Sequence, residues 1–316
     1  MATMNESKLH HYVPRFYLKY FLDPKEKLWI YDKELDRAFI TTPNRIAAEN
    51  QFYRLPEPIA DSVDPLSIEK NLSDLEFQAF SIIAAIVTEV SDLAPGMKMS
   101  ISDEEKLVIS EFLATQHFRT LEQRYLMLYF LNEIGLEVEN LSIEEQKAIQ
   151  FLILSESGFL EEFEKSIYHA IWMFAKNVSQ TFLITSDHPV CIQSSHSRVW
   201  QKSMEPLHDG SYLVFPITPQ LILYCHESIH WSKIRKYDLC LSPVVLEDDM
   251  VHHENTGQAF MSSRFLISCN NDFREVRKFI PSIGTGMYAA PNASAEEIQA
   301  VKRTAHYIKQ IGEKKK

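Results

Sequence analysis

Hydrophobic periodicity divides this chain into two kinds of segment, and that division limits the folds open to it. From Leu66 to Val90 apolar residues recur at the three- and four-residue spacing of a helix face, with Pro65 near the start. Ser102 with Glu105 has the form of a capping box, in which hydroxyl and carboxylate each take a free backbone N–H, and predicts a helix running to about Asn132. Ser142 and Glu145 repeat the device, and Gly158 separates that third helix from a fourth, Phe159 to Ala175. After Asn177 the character changes to β-branched and apolar runs bounded by prolines: Gln180–Val190, Tyr212–Phe215, Gln220–Cys225, Leu239–Val245 and Arg264–Cys269. A helix is expected from Glu247 to Met261, and a last one from Ala293 to Ile311, ahead of Lys314–Lys316.

The N-terminal part is mixed. Pro14 suits the first position of a short helix, where its missing N–H costs nothing, and Phe16, Tyr17, Tyr20 and Phe21 follow at helical spacing. Leu28–Tyr31 and Ala38–Thr41 flank a charged turn and read as a β-hairpin. A short helix from Pro43 to Glu49 is expected to lead into Phe52-Tyr53-Arg54. The expected class is α+β: a central bundle of about four long helices packed with a mixed β unit made by the N-terminal hairpin and the C-terminal strands. No repeat and no Gly-, Ser- or Pro-rich linker divides the chain, so 1–316 reads as one domain with sub-regions 1–60, 61–177 and 178–316.

Composition narrows the function. The 316 residues, 45% of them hydrophobic, can bury a large core. A formal charge of -11, from 43 acidic against 32 basic residues, argues against nucleic-acid binding over the whole surface, though a local basic groove remains compatible. Only 8 glycines occur, with neither GxGxxG nor GxxxxGK[ST], which disfavours a glycine-rich nucleotide loop. Cys191, Cys225, Cys240 and Cys269 show no CxxC spacing, and a reduced, cytoplasmic setting is expected. The N-terminus lacks an apolar leader core, and the longest apolar stretch, Phe77 to Val90, is broken by Gln78, Ser81, Thr88 and Glu89. A soluble protein without a membrane partner is the expectation.

Three constellations could carry chemistry. Histidine titrates near neutrality, so His10-His11 suits proton transfer, metal ligation or phosphate binding. In a strand the two would face opposite ways, which disfavours joint ligation of one metal and leaves one free to enter a cleft. The plainer reading has their ring N–H groups satisfying backbone carbonyls. Thr185-Ser186-Asp187-His188-Pro189 follows an apolar strand, where Asp187 could orient a histidine, bind a metal or act as a base, or else simply close an Asx turn. Glu69 and Glu76 stand seven apart and share a helix face, while Gln116 and Arg119, three apart, can point together. Arg119 could pair with a helix carboxylate or open its planar fork to a phosphate. His226-x-x-x-His230 has helix-compatible spacing for a metal but begins in a strand, and His252 and His253 diverge on a helix. No GxSxG elbow or nucleophilic cysteine context is present.

The stretch from His10 to Phe21 resembles the opening signature of the domain-of-unknown-function 4238 family, HHYVPxFYLxxF. Further matches keep their order: Trp29-x-Tyr31-Asp32, Phe52-Tyr53, Glu69 and Glu76, Gln116-x-x-Arg119-Thr120, Phe182-x-x-Thr185-Ser186-Asp187-x-Pro189, Pro216-x-Thr218-Pro219 and Asn255. His188 stands where the family more often has Asn, and His252-His253-Glu254 precedes Asn255 in place of an aliphatic stretch. The resemblance implies no agreed activity. The family is similar in distribution to bacterial accessory and mobile-element proteins, which implies a defence or toxin-like role.

The leading expectation is a hydrolase, a nuclease acting on RNA or DNA. His10 or His11 would be general acid or base, and Asp187 its orienter or a metal ligand. Arg119 with Gln116 would hold a phosphate, and Ser186 and Asn255 would contact substrate. A divalent ion, Mg²⁺ or Mn²⁺, could bind through Asp187 with Glu69 or Glu76. The competing expectation is a non-catalytic binding or assembly module with a protein partner, in which the same residues form an interior network. The enzyme reading requires His10 or His11, Arg119 and Asp187 to line one open pocket.

Overall fold

A computed structural model describes residues 9–50, 52–53, 67–136, 138, 141–156, 158–195 and 199–283. Arg54, the expected helix Ala293–Ile311 and the terminal lysines lie outside these. The α+β class holds, and helices and strands segregate much as the periodicity indicates. The helices are α1 (Arg15–Leu18), α2 (Ser67–Asp92), α3 (Asp103–Phe118), α4 (Leu121–Glu133), α5 (Ile143–Glu156), α6 (Gly158–Tyr168), α7 (Asp248–Met261) and α8 (Arg274–Phe279). Both capping boxes form. Ser102 Oγ accepts from Glu105 N at 3.2 Å while Glu105 Oε2 takes the Ser102 N–H at 2.8 Å, and Ser142 with Glu145 repeats this at 3.3 and 2.7 Å.

The strands make three sheets. In the smallest, β1 (Leu9–His11) runs antiparallel to β4 (Ala48–Asn50), with His10 opposite Glu49. A four-stranded sheet has the order β3-β2-β12-β6, from β2 (Leu28–Asp32), β3 (Arg37–Thr41), β6 (Thr185–Ser186) and β12 (Phe265–Ser268). It joins the N-terminal hairpin to the C-terminal strands, as expected of the mixed β unit. The six-stranded sheet, β11-β5-β10-β9-β7-β8, contains β5 (Ile171–Lys176), β7 (Cys191–Gln193), β8 (Trp200–Gln201), β9 (Tyr212–Thr218), β10 (Leu221–His226) and β11 (Cys240–Leu241). The β5–β11 pair is parallel and the others are antiparallel.

Four local expectations fail, each for a tertiary reason. The helix expected to run from Ser102 to Asn132 breaks at Arg119–Thr120, because Thr120 leaves helical geometry (ψ 164) and caps α4 by accepting from Gln123 N at 3.5 Å. The fourth helix stops at Tyr168, and Ile171–Lys176 is a strand held between β10 and β11, where cross-strand pairing overrides a helical pattern. The short helix at Pro43–Glu49 is only a 3₁₀ turn, Pro43–Arg45, and the chain then extends to pair with β1. Of Gln180–Val190 only Thr185–Ser186 joins a ladder. Its neighbours are held instead by Asn255, whose Oδ1 accepts from Ile184 N at 3.0 Å and whose Nδ2 donates to Phe182 O at 2.9 Å.

The main core lies where α1, α3 and the six-stranded sheet meet. Tyr17 is fully buried and stacks on Phe215 at 4.9 Å, and Phe16 packs on Phe112 at 5.8 Å. Tyr17 Oη donates its one proton to Pro216 O at 2.6 Å, so the Thr185 hydroxyl at 2.7 Å must donate to Tyr17. This pins the His10–Phe21 segment against β9 and β6 and leaves β1 overhanging α2.

Candidate functional site

The pairing of β1 with β4 fixes the two histidines, and the pleat gives them different surroundings. His10 is buried. Its Nδ1 accepts the Tyr53 backbone N–H at 3.1 Å, which puts the ring proton on Nε2, 3.1 Å from Glu69 Oε2. The Tyr53 ring stacks on it at 5.8 Å. His11 is held differently. The carbonyls of Pro43 and Asn44 engage one side of its ring, while Nε2 is buried with no hydrogen-bond partner. Burial pushes the His11 pKa below 6.5, and Arg15 adds to this, against opposing pulls from the two carbonyls and Glu76.

Both histidines line a cavity of about 310 Å³. Arg15, Asn44 and Tyr53 close one side, and Glu69, Leu72, Ser73 and Glu76 of α2 close the other. The seven-residue spacing of Glu69 and Glu76 does put both carboxylates on the cavity face. Arg119 lies beneath, 1% exposed, with Nη1 2.8 Å from Glu76 Oε1. Its Nε and Nη2 both donate to Gln116 Oε1, at 2.9 and 2.6 Å, and Gln116 Nε2 donates to Tyr12 O at 2.9 Å. The guanidinium fork is therefore occupied by the protein. Arg119 and Gln116 hold Glu76 in the cavity wall and tie α3 to the strand of the histidines, without reaching the cavity themselves.

Asp187, Ser186 and Asn255 do not line this cavity. Asp187, 1% exposed, accepts from Ser263 N (2.9 Å), Ser263 Oγ (2.9 Å), Arg264 N (2.8 Å) and Phe265 N (2.9 Å), closing the turn between α7 and β12. Ser186 Oγ lies 2.8 Å from both Gln258 Oε1 and His188 O, and Asn255 clips α7 to the strand as described. The single pocket with Asp187 beside His10 or His11 is thus not assembled, because pairing of β6 with β12 carries Asp187 onto the four-stranded sheet. Glu69 and Glu76 are engaged by His10 and Arg119. Among the described residues no group of three His, Cys, Asp or Glu side chains is arranged to hold a metal ion. Arg15, Asn44, Tyr53 and Ser73 were missed as cavity residues. Arg15 and Tyr53 lie inside segments the sequence had already marked, whereas Asn44 and Ser73 carried no signal.

The family model described as "Protein of unknown function (DUF4238)" matches residues 9–272, from β1 to just before α8. The chain belongs to the DUF4238 family. No curated protein and no solved structure matches it. The DUF4238 match takes in both walls of the cavity. It also takes in His188. His188 is a core residue: Thr120 Oγ1 lies 2.5 Å from its Nδ1, and its Nε2 lies 3.2 Å from His117 Nδ1. His117 Nε2 in turn lies 2.8 Å from Ser203 O and 2.7 Å from Gln123 Nε2. No helix among the described residues of the DUF4238 chain is long and apolar enough to cross a membrane.

These buried groups set the pH dependence of stability. Burial lowers His117 and His226 from 6.5 to about 4 and holds His188 well below 6.5. Below pH 6.5 the unfolded chain takes up protons that the folded chain refuses, so stability falls as the pH drops toward 4. Burial raises Glu254 from 4.5 to about 8, so between those values the unfolded chain ionises while the folded chain stays protonated, and stability falls as the pH rises. Each group contributes a slope of about 1.4 kcal/mol per pH unit. The three histidines outweigh one glutamate below pH 6.5, so urea denaturation across a pH series should show maximal stability near 6.5, with the steeper fall on the acid side. Glu254→Gln should flatten the alkaline decline up to pH 8. A stability that rises steadily from pH 6.5 to 8 in the wild type would contradict this assignment.

Proposed function

We propose that this DUF4238 chain is a hydrolase of nucleic-acid phosphodiesters, a nuclease, and that its site is the cavity between β1 and α2. One observation carries the reading: His11 lines the cavity beside Arg15, and its Nε2 is buried without a hydrogen-bond partner, in a ring that burial keeps below its ordinary pKa. An imidazole whose other nitrogen is held by backbone carbonyls keeps a lone pair at Nε2 and can accept a proton. Water oxygen forms the new P–O bond and passes its proton to His11 Nε2. The leaving oxygen departs with a proton from solvent, and His11 returns its own to solvent. Arg15 faces the same space and can take the phosphate charge that Arg119, occupied by Gln116 and Glu76, does not reach. His10, fixed between Tyr53 N and Glu69, positions the strand that carries His11. A volume of about 310 Å³ suits one nucleotide-sized group, near the lower end of ligand pockets.

Labelled RNA and DNA, incubated with and without Mg²⁺ or Mn²⁺, should be cleaved by the wild type and spared by His11→Gln. The rate of the wild type should rise with pH through a pKa below 6.5 and stay level above it, since the neutral imidazole is the active form. Equal cleavage by both proteins would sink the assignment. A defence or toxin-like setting fits the family's distribution, and expression of the wild type in bacteria should then arrest growth while His11→Gln does not.

A second reading is a non-catalytic assembly module. It is favoured by the internal partners of Arg119, Gln116, Asp187, Ser186 and Asn255, which form a network that fastens segments without meeting substrate. Absence of cleavage by the wild type under every condition above would select it.

A further inference from the structure

His11 lines the cavity, yet its Nε2 is buried. A water poised to attack a phosphodiester can reach that nitrogen only if a wall of the cavity moves. The two walls differ in how firmly they are held. On the β side, backbone pairing sets His10 opposite Glu49 and His11 opposite Ala48. Tyr12 N donates to Ala47 O at 3.0 Å, and Gln116 Nε2 holds Tyr12 O. On the other side, α2 changes character along its length. From Leu75 onward it buries Leu75, Ala79, Ile82, Ile83, Ile86 and Val90, the stripe of a helix seated on a core. Glu76 adds its ion pair with Arg119 at 2.8 Å, and Phe80 meets Phe16 at 5.7 Å. None of residues 69–74 is buried: Glu69 and Leu72 are half-buried, while Lys70, Asn71, Ser73 and Asp74 are exposed. Yet Glu69, Leu72 and Ser73 are three of the four side chains that α2 gives to the cavity.

We infer that the first two turns of α2, residues 67–74, are a lid on the cavity, latched by the contact of His10 with Glu69, and that substrate meets His11 Nε2 when the lid lifts. The inference rests on the nuclease reading and gives its site a means of regulation. Lids are drawn from segments that bury little apolar surface, because opening them then costs little. This lid ends where burial begins, at Leu75 and Glu76, and Arg119 holds that point. Its latch is a single directed bond. His10 Nδ1 accepts from Tyr53 N, so the ring proton sits on Nε2 and faces Glu69 Oε2 at 3.1 Å. The His10 side chain is 2% exposed and that of Glu69 is 36% exposed. The bond therefore ties the movable wall to the fixed one, at the residue next to His11.

Hydrogen exchange of the full chain, read by mass spectrometry, tests the lid without any substrate. The amides of 71–74, the first in α2 with partners inside the helix, should exchange faster than those of 82–90. Glu69→Ala removes the latch and keeps a good helix former, so exchange at 71–74 should rise about fivefold while 82–90 stays unchanged. Asp74→Gly weakens the helix of the lid without touching the latch, and should act in the same direction to a smaller extent. Diethyl pyrocarbonate, which acylates accessible neutral imidazole, reports on His11 itself. Its modification, located by tandem mass spectrometry, should be slow in the wild type and rise by the same factor in Glu69→Ala, while buried His188 stays unmodified. Neither substituted side chain is buried, so circular dichroism should show both variants folded. Equal exchange at 71–74 and 82–90 in the wild type, or no change of either readout in Glu69→Ala, would overturn the lid. So would faster exchange without faster modification of His11. The two proposals fail separately. A latch-dependent opening in a protein that cleaves nothing removes the hydrolase alone, whereas His11-dependent cleavage with both readouts indifferent to Glu69→Ala removes the lid alone.

Discussion

Asp187→Ala is expected to remove about 3–5 kcal/mol of folding stability, the largest single effect on the fold. The carboxylate accepts from the backbone N–H groups of Ser263, Arg264 and Phe265 and from the Ser263 hydroxyl. Alanine leaves these donors facing a protein wall, at about 1 kcal/mol or more for each. Three of the bonds go to Oδ2 and only the Ser263 N–H to Oδ1. Asp187→Asn can therefore keep its oxygen at the Oδ2 position and lose one bond, so it should cost about 1 kcal/mol. Urea midpoints with unchanged slope measure both. A catalytic Asp187 would behave otherwise: the Ala variant would lose cleavage while its midpoint stayed put. That outcome would return Asp187 to the site.

His11→Gln is expected to lower phosphodiester cleavage by about 10²- to 10⁴-fold, the usual contribution of a positioned general base. Its Nε2 makes no hydrogen bond within the protein, so little stability should be lost with it. The expected change in unfolding free energy is within about 0.5–1 kcal/mol. The pH–rate profile separates a base from a mere cavity wall: in the variant any residual rate should lose the acid-side rise. His10→Gln provides the contrast. It removes the link from Glu69 to the Tyr53 N–H and should lower stability as well as rate. An undiminished rate in His11→Gln, with the acid-side rise intact, would refute the role of His11.

Much of the fold was legible because local rules acted without competition. The boxes at Ser102–Glu105 and Ser142–Glu145 start α3 and α5 where their spacing says, since both partners lie within one turn. The α+β class followed from periodicity, which reports the face each residue buries. Ile171–Lys176 was misread because alternation and helical spacing overlap in a short apolar run, and only β10 and β11 decide between them. The turn of Pro43–Arg45 into β4 was invisible for a similar reason, because β4 exists only where β1 lies alongside it.

The candidate site divides along the same line. The sequence by itself determined that Glu69 and Glu76 share a face, that Gln116 and Arg119 point together, and that His10 and His11 diverge, since helix and strand periods settle these within a few residues. Only the tertiary structure decided which histidine keeps an unpartnered nitrogen, that Arg119 turns its fork to Gln116, and that Asp187 belongs to the turn before β12. Each of those outcomes depends on which donor or acceptor arrives from a distant segment. A polar side chain takes the partner that folding brings to it, and chain spacing carries no record of that partner.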